Sequence, residues 1–260
     1  MPEETGRDNG RKGAEGRIDV GRFIAALDRC FEKNDAAAAR SCLQYWEDEA
    51  RRLHDERGLL TVLNEQVGFT RRAREKEAAL RAVDEVLALL ESLSLGRTVS
   101  GGVMFLNAAT TLASFGEEER ALPLYEQASG SLIGQGKTQT YEYAALLNNR
   151  ASVLYALGRL DEAEEDWLRA IGILKAIPER SGERAISVAM LAQVAAERDG
   201  DREKADALLD EAWELLNSPA IRRDGNYAFL LGKCAPSFDN LGRTEEAQAL
   251  RDVADEIYRA

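Results

Sequence analysis

Residues 146–177 read LLNNRASVLYALGRLDEAEEDWLRAIGILKAI, and this stretch carries the clearest fold signal of the chain. Two apolar segments of helical period flank Gly158, where a tight turn with a positive φ suits glycine. Glycines recur at one constant interval along the chain, at Gly116, Gly158, Gly200 and Gly242. A period of this length predicts supersecondary units that stack in one dimension.

An alanine follows each of these glycines at a constant distance. It stands five residues after the turn, at Ala121, Ala163, Ala205 and Ala247. A side chain this small lets the two helices of a pair approach each other closely. Two less regular units precede this ladder, with turns predicted near Asn34 and Arg74. The sequence therefore predicts six helix-turn-helix units, with turns near residues 34, 74, 116, 158, 200 and 242.

The unit around Gly158 resembles the tetratricopeptide repeat. That family's pattern of small, large apolar, turn, small, aromatic and small residues is held by Ala151, Leu154, Gly158, Ala163, Trp167 and Ala170. The unit around Gly116 matches it at Ala109, Leu112, Gly116, Ala121, Tyr125 and Ala128. The chain is similar to bacterial members with a long unit. The resemblance implies an all-α, right-handed superhelical solenoid over residues 18–260 as a single domain, close from about residue 100 onwards.

Three local features depart from the regular pattern, and two residues fit it as helix caps. Asp199 reads as a one-residue insertion in the fifth turn, and Pro236 is expected to kink the first helix of the sixth unit. Arg251 stands where earlier units place a bulky apolar residue, which is typical of a polar cap on a stack. Asp161 and Thr244 are expected to cap second helices.

Composition predicts an all-α protein and bounds its surroundings. Helix-favouring residues dominate and there are only five prolines. Residues 1–17 are polar and are predicted to form a disordered tail. No later stretch approaches the ~18 apolar residues of a membrane-spanning helix, so we expect a cytoplasmic protein. The cysteines Cys30, Cys42 and Cys234 are widely spaced, and we expect free thiols.

Several function classes are disfavoured by charge and by missing residue types. The net charge of −12 opposes binding to nucleic acid or to an anionic membrane. His54 is the single histidine and no CxxC motif occurs, so we expect no metal and no cofactor. GSLIGQGKT at residues 130–138 misses the phosphate-binding loop spacing at Ser131, and we interpret it as a flexible link between units. No catalytic residues can be assigned, which predicts a protein that is not an enzyme.

The tetratricopeptide resemblance implies that the first helix of each pair lines a concave groove. Counting back from each turn predicts a polar, asparagine-rich groove: Asn64, Arg71, Arg72, Asn107, Thr110, Asn148, Asn149, Ser152, Tyr155 and Lys233. An asparagine amide offers a donor and an acceptor to a peptide backbone, and a cation attracts a carboxylate. The alternative is that these residues are polar only because the groove faces water.

Three function hypotheses follow from this surface. The first is a non-enzymatic scaffold that binds a peptide or a segment of another protein. The second is a peptide-sensing regulator that acts on a separate effector. The third, a remote one, is an enzyme that uses the polar groove. A homo-oligomer is also possible, because the first helix carries apolar residues such as Phe23, Ile24 and Leu27.

Overall fold

The computed structural model describes residues 16–259, and within this range the chain forms twelve α-helices and no strand. The predicted all-α fold class is therefore confirmed. The predicted disordered tail falls almost entirely outside the described residues. All three cysteines are free thiols, as expected.

The chain divides into two compact units, with the division between Arg97 and Thr98. Unit 1 contains α1 (Val20–Glu32), α2 (Ala36–Arg52), α3 (Glu56–Arg72) and α4 (Lys76–Ser92). Unit 2 contains α5 (Val99–Ser114), α6 (Glu118–Gly134), α7 (Tyr141–Ala156), α8 (Leu160–Leu174), α9 (Ser181–Arg198), α10 (Arg202–Leu216), α11 (Gly225–Asn240) and α12 (Thr244–Arg259). A short 3-10 turn, Pro178–Arg180, precedes α9. One continuous solenoid through both units stays a prediction.

Each predicted turn joins the first and second helix of a pair. The backbone φ is positive at all six turn positions: Asn34, Arg74, Gly116, Gly158, Gly200 and Gly242. A backbone hydrogen bond closes the Gly158 turn, with the Arg159 N–H donating to the Leu154 carbonyl five residues back, at 2.8 Å. In the fifth turn the Asp201 N–H reaches the Ala195 carbonyl, six residues back, at 3.0 Å. The predicted insertion at Asp199 is confirmed.

Unit 1 has a shorter period because the links between its pairs are as tight as the turns within them. Positive φ recurs there at even, short intervals, at Asn34, His54, Arg74 and Ser94. In unit 2 the links between pairs are longer, at residues 135–140, 175–180 and 217–224. Positive φ at a residue with a side chain is uncommon. His54 and Ser94 adopt it, so no glycine marks these two turns in the sequence.

Within each unit the core lies between the helices of each pair and the next helix along the chain. The alanine five residues after each of the six turns is fully buried, as the ladder predicted: Ala39, Ala79, Ala121, Ala163, Ala205 and Ala247. Trp167 and Tyr125 are buried with them. In α5 and α6 the approach is close enough that a Cβ on Gly102 would lie 2.5 Å from the Ser131 hydroxyl. Small residues thus set the spacing of the paired helices.

Two local expectations are wrong. Asp161 lies inside the first turn of α8, whose N-cap residue Arg159 makes no side-chain cap, and Thr244 is the first residue of α12. These helices start two residues after the turn glycine, so Asp161 and Thr244 are already helical and cannot be the N-cap residue. Asp161 can stabilise α8 only through its charge near the positive end of the helix dipole. Residues 130–134, expected in a flexible link, belong to α6. α11 continues through Pro236 as one helix, and the kink expected at this residue stays a prediction.

Two of the apolar residues named for the first helix belong to the core of unit 1. Phe23 and Leu27 are buried in unit 1, and the Phe23 ring lies 6.0 Å from the Trp46 ring. They belong to the core because α1 packs its apolar stripe on α2. Ile24 of the same helix is part-exposed, and a homo-oligomer stays a prediction.

Candidate functional site

The first helices of unit 2 leave one surface that their partner helices do not cover. We call the exposed side of α5, α7, α9 and α11 the A-face. Three side-chain hydrogen bonds join α7 to α9 beside it: Tyr141 Oη to Glu183 Oε1 at 3.3 Å, Ser187 Oγ to Asn148 Oδ1 at 2.6 Å and Tyr155 Oη to Glu197 Oε2 at 2.6 Å. The partners are 39 to 42 residues apart, so the two helices run parallel.

The neighbouring helices α9 and α11 also run parallel and pack more closely. Gln193 links them, because its amide donates to Ser237 Oγ at 2.9 Å and accepts from Asn240 Nδ2 at 2.9 Å. These partners are 44 and 47 residues apart. The same offsets place Ile186 opposite residues 230–233 of α11, next to Phe229 and beside Lys233.

These offsets and the constant glycine interval align one apolar side chain, exposed or part-exposed, from each first helix. We call this set the apolar row; it consists of Val103, Ala145, Ile186 and Phe229. The side chains at its two ends, Val103 and Phe229, are each 51% exposed. The Lys233 ammonium lies 5.6 Å from the centroid of the Phe229 ring. The A-face is therefore part apolar, and not the uniformly polar groove that the sequence predicts.

Asn149 is the predicted site residue best placed to meet a ligand. It is exposed on α7, beside the apolar row, and its amide makes no hydrogen bond to another described residue. Lys233 is also exposed and forms no ion pair within the described residues. Asn107 lies on α5 at the position equivalent to Asn149 and is part-buried. These three side chains lie one turn along from the apolar row.

Four other predicted residues bond within unit 2. Asn148 accepts the Ser187 hydrogen bond, and Ser152 Oγ donates to the Asn148 carbonyl at 3.0 Å. Thr110 Oγ1 donates to the Leu106 carbonyl at 2.8 Å. Burial and the hydrogen bond to Glu197 raise the pKa of Tyr155, so this phenol stays protonated at neutral pH. The hydrogen bonds of these four side chains are made within unit 2, so the side chains hold the first helices in place and offer few free donors to a ligand.

Asn64, Arg71 and Arg72, the remaining predicted residues, lie on α3 in unit 1. Asn64 Nδ2 donates to Glu65 Oε1 at 3.4 Å, and the Arg72 guanidinium lies 4.9 Å from the centroid of the Phe31 ring. Arg72 borders a cavity of about 610 Å³ at the ends of α1 and α3. The structure thus places them in a different compact unit from the A-face residues.

The apolar row was missed because the count back from each turn stopped one helical turn too early. Val103, Ala145 and Phe229 each stand at the same distance before a turn glycine, one step beyond the positions that the prediction used. Ile186 stands one position further from Gly200, because the inserted residue Asp199 lies between them; without the insertion its distance would equal that of the other three. Continuing the three- and four-residue helical spacing by one step would have found all four.

Acidic residues dominate the charge of unit 2. Residues 98–260 hold 27 acidic and 17 basic side chains, a net charge of −10, which leaves −2 for residues 1–97. On the A-face, Glu142 and Glu197 are exposed, whereas Glu183 forms an ion pair with Arg180 at 2.9 Å. The N–H of Glu142 itself, followed by the Thr140 hydroxyl, lowers the pKa of Glu142, so this carboxylate is charged at neutral pH.

Residues 16–259 contain neither a membrane-spanning helix nor a cluster of metal ligands. Helices there are too short or too polar to cross a bilayer. No group of three or more His, Cys, Asp or Glu side chains is arranged to hold a metal ion in that range.

Comparison with known proteins identifies the fold. No protein-family model and no curated protein matches the sequence. Among solved structures, a Podosopora anserina protein of kinesin light chain type with nearly identical TPR-like repeats matches with a TM-score of 0.56 at 18% identity, over 76% of this chain and 94% of that one. The chain has a tetratricopeptide-like fold. The predicted resemblance is therefore confirmed at the level of the fold.

Two further structures share the tetratricopeptide-like fold. The quorum sensor NprR from B. thuringiensis, in its apo form, matches with a TM-score of 0.60 at 14% identity, over 92% of this chain and 64% of that one. The apo form of RapI matches with a TM-score of 0.59 at 12% identity, over 93% and 98%. At these identities the likeness concerns the helical architecture.

Proposed function

We propose that this protein is a non-enzymatic interaction scaffold whose A-face binds an extended peptide or a segment of another protein. The observation that carries the proposal is the juxtaposition of the apolar row with the exposed, unbonded amide of Asn149. Exposed apolar side chains aligned on one face are typical of an interaction surface. A planar amide beside them can pair with both the N–H and the C=O of a bound backbone.

The titratable side chains near the A-face support binding more than catalysis. The Tyr155 phenol has a raised pKa and donates to Glu197, which makes it a poor base or nucleophile. Complete burial raises the pKa of the Cys234 thiol to about 12, so it lacks the thiolate form that a nucleophile needs. Neither group has the environment that activates a catalytic side chain.

Selection from a displayed library of random twelve-residue peptides tests this proposal. The full chain is the bait, and Asn149→Arg is the test variant, because Asn149 is exposed and bonds to no described residue. The control is Leu168→Ser, which changes a 54% exposed apolar residue on α8, outside the A-face. We expect peptides that bind the wild type and the control and fail to bind Asn149→Arg. Enrichment that is indifferent to Asn149→Arg would place the binding surface elsewhere.

A peptide-sensing regulator that acts on a separate effector is the second candidate. It is favoured by the junction of α7 and α9, which are joined through side-chain hydrogen bonds while α9 and α11 pack closely. A ligand that competes for these hydrogen bonds would change the spacing of the two helices. Small-angle X-ray scattering with and without a saturating selected peptide tests this, and identical curves would count against a sensor.

A further inference from the structure

We propose, resting on the proposed function, that the segment bound on the A-face is basic, at least about eight residues long, and carries an apolar side chain near each end. Three properties of unit 2 determine this ligand class: the spacing of its first helices, the exposure of the two ends of the apolar row, and its charge.

The length follows from the number of helices that the apolar row crosses. The row runs from Val103 on α5 to Phe229 on α11, which are separated by three helix-to-helix steps. Packed helices lie about 8 to 10 Å apart, and of the three steps only α9 to α11 is closely packed, so the row spans at least roughly 24 to 30 Å. An extended chain advances about 3.3 Å per residue, and at least about seven to nine residues are therefore needed to cover the row.

The apolar positions follow from exposure along the row. Val103 and Phe229 at its ends are each half exposed, and Ile186, next to Phe229, is part-exposed. The residue at the α7 step is Ala145, whose small side chain offers little apolar surface. A ligand gains most by covering the two ends, because apolar burial scales with the area removed from water.

The basic character follows from the charge of unit 2. The net charge of −10 over residues 98–260 attracts cations and repels an acidic segment. On the A-face itself, the exposed carboxylates of Glu142 and Glu197 lie on α7 and α9. The one exposed lysine, Lys233, lies on α11 against Phe229, within the part of the A-face that the structure describes. The cations of the segment therefore belong over α7 and α9, between the two apolar ends.

Three synthetic fluorescein-labelled ten-residue peptides test the proposal by fluorescence anisotropy with the full chain. The first has leucines at positions 2 and 9 and lysines at positions 4, 6 and 8 on a serine background. The second replaces the lysines with glutamates, and the third replaces the leucines with serines. We expect the first peptide to bind at least tenfold more tightly than either of the others, and to weaken severalfold at high salt because screening shortens electrostatic reach.

Protein variants locate the contact. Phe229→Ser should weaken binding of the first peptide about tenfold, as expected for loss of an aromatic anchor, and Leu168→Ser, with nearly equal exposure, should leave it unchanged. Equal or tighter binding of the glutamate peptide overturns the inference. If random peptides are enriched in the library selection but none of the three binds, the inference also falls and the proposed function stands. If nothing is enriched, both fall.

Discussion

The buried ion pair between α7 and α8 provides the sharpest test of the packing described above. Arg150 donates to both carboxylate oxygens of Asp166, at 2.6 Å each, and the Asp166 side chain is only 6% exposed. The hydrogen bond to Asp166 raises the pKa of Arg150. The guanidinium also remains charged when Asp166 is removed, because an arginine side chain is not deprotonated in proteins. We expect Asp166→Ala to lower the free energy of unfolding by about 3 kcal/mol, because a part-buried cation is left without a counter-charge.

An exposed ion pair with the same hydrogen-bond geometry serves as the control for the effect of burial. Arg159 makes two hydrogen bonds of the same kind to Glu162, at 2.7 and 2.6 Å, but the side chains are 42% and 55% exposed. Glu162→Ala should therefore leave the free energy of unfolding nearly unchanged, because solvent screens an exposed ion pair. Both variants are compared with the wild type by urea unfolding, followed by far-UV circular dichroism. Equal decreases in the free energy of unfolding for the two variants would show that burial does not determine how strongly these ion pairs stabilise the fold.

A double variant checks that the loss comes from the unpaired charge. Arg150→Met combined with Asp166→Leu replaces both ions with apolar side chains of similar size. The double variant should recover most of the stability lost in Asp166→Ala, since apolar replacement of a buried ion pair is often neutral or stabilising. A double variant less stable than Asp166→Ala would show that the loss does not come from the unpaired Arg150 charge and that the intact ion pair itself stabilises the fold.

Three further predictions concern the turns and the core. Trp167→Ala should cost about 3 to 5 kcal/mol in the same urea assay, because the ring is fully buried, and a loss below about 1 kcal/mol would contradict this. Gly158→Ala should cost about 1 kcal/mol through its backbone alone, since φ is +73° and an added Cβ meets nothing; an unchanged midpoint would argue against it. Cys234, with its pKa raised to about 12, should react with a thiol reagent at neutral pH only after unfolding, while the part-exposed Cys30 reacts in the native protein.

Much of the fold could be predicted because each unit repeats the same physical requirement. A turn with positive φ favours a glycine, and a close helix pair needs an alanine five residues later, so Gly158 and Ala163 could be recognised from their spacing. The insertion at Asp199 could be read for the same reason. The turns at His54 and Ser94 could not, because they carry no glycine and lie off the repeat interval that located the turns at Asn34 and Arg74.

The candidate site was harder to predict because the position of a residue in its helix does not show which residue of a neighbouring helix it will contact. The periodicity assigns Asn148 and Asn149 to the first helix alike, but α9 lies close enough for Ser187 to bond Asn148 and leaves Asn149 exposed. Phe229 could not be recognised as exposed from its type, since most phenylalanines are core residues. Its exposure follows from its place on the uncovered side of α11.

Photo-cross-linking would show where on the molecule a ligand sits, and so whether the A-face is the binding surface. A peptide selected on the full chain is resynthesised with a benzophenone side chain near each end, irradiated with the protein, and its attachment sites are mapped by mass spectrometry. We expect attachment to α5 and α11, close to Val103 and Phe229. Attachment confined to α6, α8, α10 or α12, or to unit 1, would rule out the A-face as the site.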